Sequence, residues 1–149
     1  MTENQPSTSA DGEKTPAASL GRPVHFEIQA ADVERATAFY REVFDWSMQD
    51  WSEYAGMPYV GVSTGEGLGI DGAILGRPGG VNPEVGGPVM GAVLTIGVAD
   101  LDAVAERVLA AGGTEALPKY ALPGMAWQAY FHDTEHNVFG LHQPDPEAR

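Results

Sequence analysis

The stretch VHFEIQAADVERATAFYREVF, residues 24–44, holds the pattern that decides the fold. Val24, Phe26 and Ile28 alternate with His25, Glu27 and Gln29, the period of two shown by a strand with one packed and one open face. Asp32 follows, placed to cap a helix N-terminus. Behind it Val33, Ala36, Phe39, Tyr40 and Val43 recur at helical spacing and form one apolar stripe. Three short strand-like stretches come next, near residues 46–51, 58–63 and 69–75, set apart by turns containing Gly and Pro.

The pattern then restarts. In AVLTIGVADLDAVAERVLAAGG, residues 92–113, a strand leads to a second capping residue, Asp100, and to a stripe of Leu101, Val104, Val108 and Leu109. Gly112 and Gly113 supply the helix stop. Further strands are expected over residues 114–122, 125–132 and 137–143. Asp32 and Asp100 lie 68 positions apart, and at that offset strand falls on strand and stripe on stripe, so the chain reads as a duplication. Each half is strand–helix–strand–strand–strand. The expected class is α+β, with two βαβββ modules in one chain and their sheets curved around a shared cavity. Module 1 spans about residues 22–76 and module 2 about 89–145, with a Gly- and Pro-rich linker at about 77–88; together they form one domain over residues 22–145. Residues 1–21 are polar and rich in Ser, Thr, Pro and Ala, which predicts a flexible tail.

Composition excludes whole classes of function. Among 149 residues there is no cysteine, so disulfides, iron–sulfur clusters and thiol catalysis are ruled out. Net charge is −13 with only 8 Lys and Arg, so no basic stripe can form for nucleic acid or an anionic membrane surface. No apolar run approaches the ~20 residues of a membrane span, and the N-terminus lacks the pattern of a secretory signal. A cytoplasmic protein is expected. There is no phosphate-cradling loop, serine elbow or His-Glu-x-x-His motif.

A helix covers only one face of a small sheet, so alternation assigns the side chains. Val24, Phe26 and Ile28 belong under the first helix, and His25, Glu27 and Gln29 on the open face. In the second module Leu94, Ile96, Val98, Phe139 and Leu141 belong to the core, leaving Val93, Thr95, Gly97, Val138, Gly140 and His142 open. Trp127, Tyr130 and Phe131 share one strand and must divide between its faces; whichever set turns inward lines a cavity with aromatic surface. His132 and His136 flank a hairpin turn and read as surface residues.

With V-H-F-E-I-Q-A-A-D…A-F-Y in the first half, V-A-D-L-D-A…A-A-G-G-T in the second and Y-F-H-D-T-E-H-N-V-F-G-L-H-Q near the end, the chain resembles the vicinal-oxygen-chelate superfamily of glyoxalase, bleomycin-resistance and extradiol-dioxygenase-like proteins. Within it the chain is most similar to a bacterial branch related to lactoylglutathione lyase. In metal-dependent relatives the first and last strand of each module supply one ligand apiece. Carried onto this chain, those positions are His25, Val93, Gly140 and a residue within 70–73, where Asp71 has a ligating side chain. Val93 and Gly140 cannot ligate, whereas a catalytic zinc site wants three protein ligands. No cofactor is therefore expected. His136 stands where the family's hairpin has glycine, and Asp45 where glycine follows the first helix; both types tolerate left-handed backbone.

These readings leave His25 and Glu27 as a catalytic acid–base pair, and Trp127, Tyr130, Gly140, His142 and Asp71 as ligand-binding residues, Gly140 by leaving room in the cavity floor. They support a small-molecule-binding protein, either a metal-independent enzyme of isomerase or lyase type or a binder that sequesters a drug-like compound without turnover. The partners expected are a small organic molecule and, from the resemblance, a second copy of the chain.

Overall fold

The computed structural model describes residue 23 and residues 25–89 and 91–149; the expected tail and Val24 lie outside the described residues. The chain runs β1 (Phe26–Ala30), α1 (Val33–Phe44), β2 (Ser47–Asp50), α2 (Ser52–Ala55), β3 (Tyr59–Ser63) and β4 (Gly72–Gly76). It then repeats as β5 (Leu94–Gly97), α3 (Leu101–Ala110), β6 (Thr114–Leu122), β7 (Ala126–His132) and β8 (Val138–Pro144). Two βαβββ modules result, and the only addition to the expected order is the one-turn helix α2. No helix among the described residues is long and apolar enough to cross a membrane.

Both long helices start as their sequences dictate. The Asp32 carboxylate accepts from Arg35 N–H at 3.0 Å, and Asp100 accepts from Ala103 N–H at the same distance. α1 ends on Asp45, which takes the left-handed conformation (φ 59°) and donates its N–H to the Arg41 carbonyl. The stripe of α1 is buried as expected at Ala36, Phe39, Tyr40 and Val43. On α3, Leu101, Val104 and Val108 are buried but Leu109 is 54% exposed. One residue past Val108 the helix has turned ~100° away from the sheet, so Leu109 does not belong to the stripe.

The strands form two four-stranded sheets, in the order β1-β4-β3-β2 and β5-β8-β7-β6. β1 pairs with β4 in parallel and β5 with β8 in parallel, while the remaining pairs are antiparallel. β1 and β5 are thus edge strands. The two sheets do not close into one; they share a core. Phe39, Tyr40 and Phe44 of α1 pack on Phe139 of β8, with ring centroids 6.0, 6.2 and 5.7 Å apart. A single apolar cluster runs from Phe26 and Ile28 through both helices to Phe139 and Leu141. The apolar faces of both sheets turn to this core, and their open faces turn away from it.

Candidate functional site

Where the two modules meet, near the edges of β1 and β5, lies a cavity of about 780 Å³. Phe26 of β1, Val43 and Phe44 at the end of α1, Trp46, and Leu68 and Ile70 of the loop before β4 form one side. Residues 94–99 along β5, with Val104 and Arg107 of α3, form the other. The walls combine apolar side chains with a substantial polar share that includes Glu42, Asp45, Thr64 and Arg107. The volume falls within the range of small-molecule pockets. The cavity opens on the helix side of β5, not on the open faces where the alternation argument placed it.

None of the residues singled out from sequence as catalytic or ligand-binding lines this cavity. His25 is exposed at the start of β1, its Nε2 3.4 Å from the Tyr59 hydroxyl. The β1–β4 register, which sets Phe26 against Gly72, brings Asp71 beside His25. Asp71 is occupied, however: its carboxylate accepts from Thr64 N–H at 2.8 Å, Thr64 Oγ1 at 3.2 Å and Ser63 Oγ at 3.4 Å, closing the turn between β3 and β4. Glu27 is exposed and pairs across to Ala73.

A second group forms on the open face of the other sheet. Tyr130 pairs with Gly140, and Gln128 with His142, and His142 Nδ1 lies 2.8 Å from the Gln128 side-chain oxygen. Thr95 is opposite Gly140 on β5. The space Gly140 leaves is already taken: a Cβ there would meet Thr95 Oγ1 at 2.9 Å, the Tyr130 ring at 3.0 Å and Gln128 Nε2 at 3.1 Å. Gly140 therefore accommodates its neighbours rather than opening the floor to a ligand. Tyr120 stands opposite Gln128, and partial desolvation, then the Tyr130 hydroxyl, hold its hydroxyl above the usual tyrosine range.

Trp127 belongs to the other face. It packs against the core cluster with Phe131, donates its indole N–H to Asp145 at 2.9 Å, and carries Lys119 Nζ 4.7 Å above its ring. Lys119 in turn pairs with Asp102 of α3 at 2.8 Å. Trp127 is thus a strut between β7, α3 and the C-terminal segment.

The donor set does not fit a family-type metal centre. His25 and Asp71 are neighbours, but the second-module positions are Val93 and Gly140, and no three His, Asp or Glu side chains gather among the described residues.

The polar residues that sequence reasoning missed sit in the β7–β8 hairpin. Glu135 is fully buried and accepts from Ala31 N–H (3.0 Å), Asp32 N–H (3.1 Å), Arg35 Nε (2.7 Å) and Asn82 Nδ2 (2.7 Å). Burial raises its pKa, but these donors and the Arg35 charge outweigh it, holding the carboxyl below its ordinary range. Asp133 accepts from Tyr40 Oη at 2.7 Å and from the Glu135 and Asn137 N–H groups, yet burial still pushes its pKa up. The signal available was the spacing Asp133-x-Glu135-x-Asn137, which resembled a plain turn. His132 is likewise buried, not a surface residue; its Nδ1 lies 3.2 Å from Thr114 Oγ1 and burial lowers its pKa. His136 takes the left-handed conformation (φ 63°) and its Nδ1 lies 2.6 Å from the Pro83 carbonyl.

Comparison with known proteins agrees with this architecture. A family model described as bleomycin resistance protein-like N-terminal matches residues 22–65. A glyoxylase-like domain-containing protein of Didymella fabae is 33% identical over 116 residues, 77% of this chain and 88% of that protein. A glyoxalase/bleomycin resistance protein/dioxygenase family enzyme from Burkholderia phytofirmans superposes with a TM-score of 0.63 at 20% identity, covering 81% of this chain and 97% of its own. The fosfomycin resistance protein FosX of Listeria monocytogenes does so with 0.64 at 17%, covering 85% and 95%. With its paired βαβββ modules and a relative this similar over most of its length, the chain belongs to the glyoxalase/bleomycin-resistance-like family of the vicinal-oxygen-chelate superfamily.

Proposed function

We propose that this protein binds a small, mainly apolar organic molecule in the cavity between its modules and sequesters it without turnover or metal. The observation that carries the reading is the cavity itself, about 780 Å³ and walled by Phe26, Phe44, Trp46, Ile70, Ile96 and Val104. The acid–base pair expected from the sequence, His25 and Glu27, does not line it, and burial of apolar surface supplies affinity without needing either group. The match to a bleomycin-resistance-like family model points the same way. We extend the proposal to a homodimer, because the open faces leave Trp51 45% and Tyr120 37% exposed in the single chain.

The test is a titration with N-phenyl-1-naphthylamine, a neutral apolar fluorophore. Saturable binding at one site is expected, with Ile70→Trp filling the cavity and weakening it at least about tenfold, a difference of ~1.4 kcal/mol. His25→Ala is expected to leave affinity unchanged. Binding that survives Ile70→Trp but is lost in His25→Ala would refute the assignment.

One observation favours a second reading, a metal-independent proton-transfer enzyme of isomerase or lyase type. His25 Nε2 lies 3.4 Å from the Tyr59 hydroxyl on an exposed face, so a substrate there would find a base and a neighbouring donor. On that reading His25→Ala abolishes turnover and leaves ligand affinity in place.

A further inference from the structure

One wall of the cavity is backbone. Among the described residues β5 is an edge strand, paired only with β8. The Val98 N–H donates to the His142 carbonyl at 2.9 Å, and in register Leu94 faces Phe139 and Ile96 faces Leu141. In a parallel ladder a residue turns its N–H and C=O to the same side, and the next residue turns them to the other. Leu94, Ile96 and Val98 therefore direct theirs to β8. Thr95 and Gly97 direct theirs away from it, and both residues line the cavity. Their N–H and C=O groups need partners, since strand-edge groups left without one are costly once water is displaced.

We propose that the cavity takes a neutral, peptide-like amide, whose N–H and C=O pair with the free β5 edge at Thr95 and Gly97 while its apolar flanks lie on Phe44, Trp46, Ile70 and Val104. This deepens the reading of the cavity as the ligand site and rests on it. Charge argues against an anion: the rim carries two carboxylates, Glu42 and Asp45, against one cation, Arg107, and the whole chain is at −13. An anionic compound is disfavoured on both counts. The short strand also selects the partner. β5 has four residues, two of which face outward, enough for one amide unit and poor for continuous pairing with another chain. Main-chain bonds to a strand edge give affinity and side-chain pockets give selectivity, as in strand addition generally.

The experiment compares N-acetyl-Leu-Phe-amide with its ester analogue lacking the central N–H, following the Thr95 and Gly97 backbone amides by NMR. Gly97→Pro removes the outward N–H at an edge position where proline is tolerated, and Gly97→Ala is its control, since a Cβ there meets nothing within 4 Å. The amide is expected to bind and shift both resonances. The ester and Gly97→Pro should each weaken binding about tenfold, and Gly97→Ala should not. N-phenyl-1-naphthylamine, which has no carbonyl to pair with the edge, should bind the wild type in the same cavity and compete with the dipeptide. Equal affinity of amide and ester, or full affinity in Gly97→Pro, overturns the proposal. So does protection of the Thr95 and Gly97 amides from exchange before any probe is added, which would mean that a second copy occupies the edge. If the naphthylamine binds and the dipeptide does not, only the amide assignment falls; if neither binds, the cavity reading falls with it.

Discussion

Glu135 and Asp133 stand two residues apart in one hairpin, yet their carboxyls shift in opposite directions. Each meets four donors; the difference is that one donor to Glu135 is the charged Arg35, while desolvation outweighs the neutral donors around Asp133. Glu135, held below its ordinary range, contributes stability that is fully present above that range and is lost as pH falls through its own lower value. Asp133, held above its ordinary range, does the reverse: ionising it in the fold costs stability as pH rises from its ordinary value through its raised one. Mild acid should therefore cost little at first, because protonating Asp133 offsets losses elsewhere, and the sharper loss should come where Glu135 protonates. Glu135→Gln should remove that acid limb and lower stability at neutral pH by roughly 2 kcal/mol, since two backbone donors and Asn82 lose a charged acceptor. Urea midpoints measured from pH 3 to 7 check both statements; an unchanged acid limb in the variant would assign it to other carboxylates. Tyr40→Phe should cost about 1–2 kcal/mol by leaving buried Asp133 without its hydroxyl donor.

Among the elements, α1 and α3 were the most legible. Asp32 and Asp100 cap as read, and each cap should be worth about 1 kcal/mol, so Asp32→Ala and Asp100→Ala should lower the urea midpoint by similar amounts with no change in slope. A larger loss for Asp32→Ala would show that its backbone bond to Glu135 depends on the capped geometry. The faces of β1 and β5 were legible too, because core and open positions alternate cleanly there. On β7 they do not. Trp127, Tyr130 and Phe131 are all aromatic, and the choice of face was settled by Asp102, Lys119 and Asp145, contacts that no local pattern encodes. α2 was missed because its N-cap, Trp51, makes no side-chain cap. The cavity was missed for a related reason: it is walled partly by the backbone edge of β5, and side-chain patterns carry no record of which edges remain unpaired.

At the scale of the whole molecule, two modules of similar order share one core instead of packing separately. Phe139 of module 2 lies under the rings of α1, and Arg77 bridges the Gln29 carbonyl to the Asn137 side chain at 2.8 Å each. Unfolding should therefore be a single cooperative transition, with tryptophan fluorescence and far-ultraviolet dichroism coinciding in urea. Two separated transitions would mean that each module holds a core of its own.

The Glu135 carboxylate accepts from Ala31, 104 positions earlier in the chain. During synthesis the first turn of α1 is complete long before the acceptor for its start has been made, and few local contacts can stand in for it. Closing so long a loop is slow and entropically costly. The first half of the protein is thus committed to wait for the second, with its apolar stripe uncovered. Nascent chains stalled before the β7–β8 hairpin are the ones that chaperones and proteases should claim.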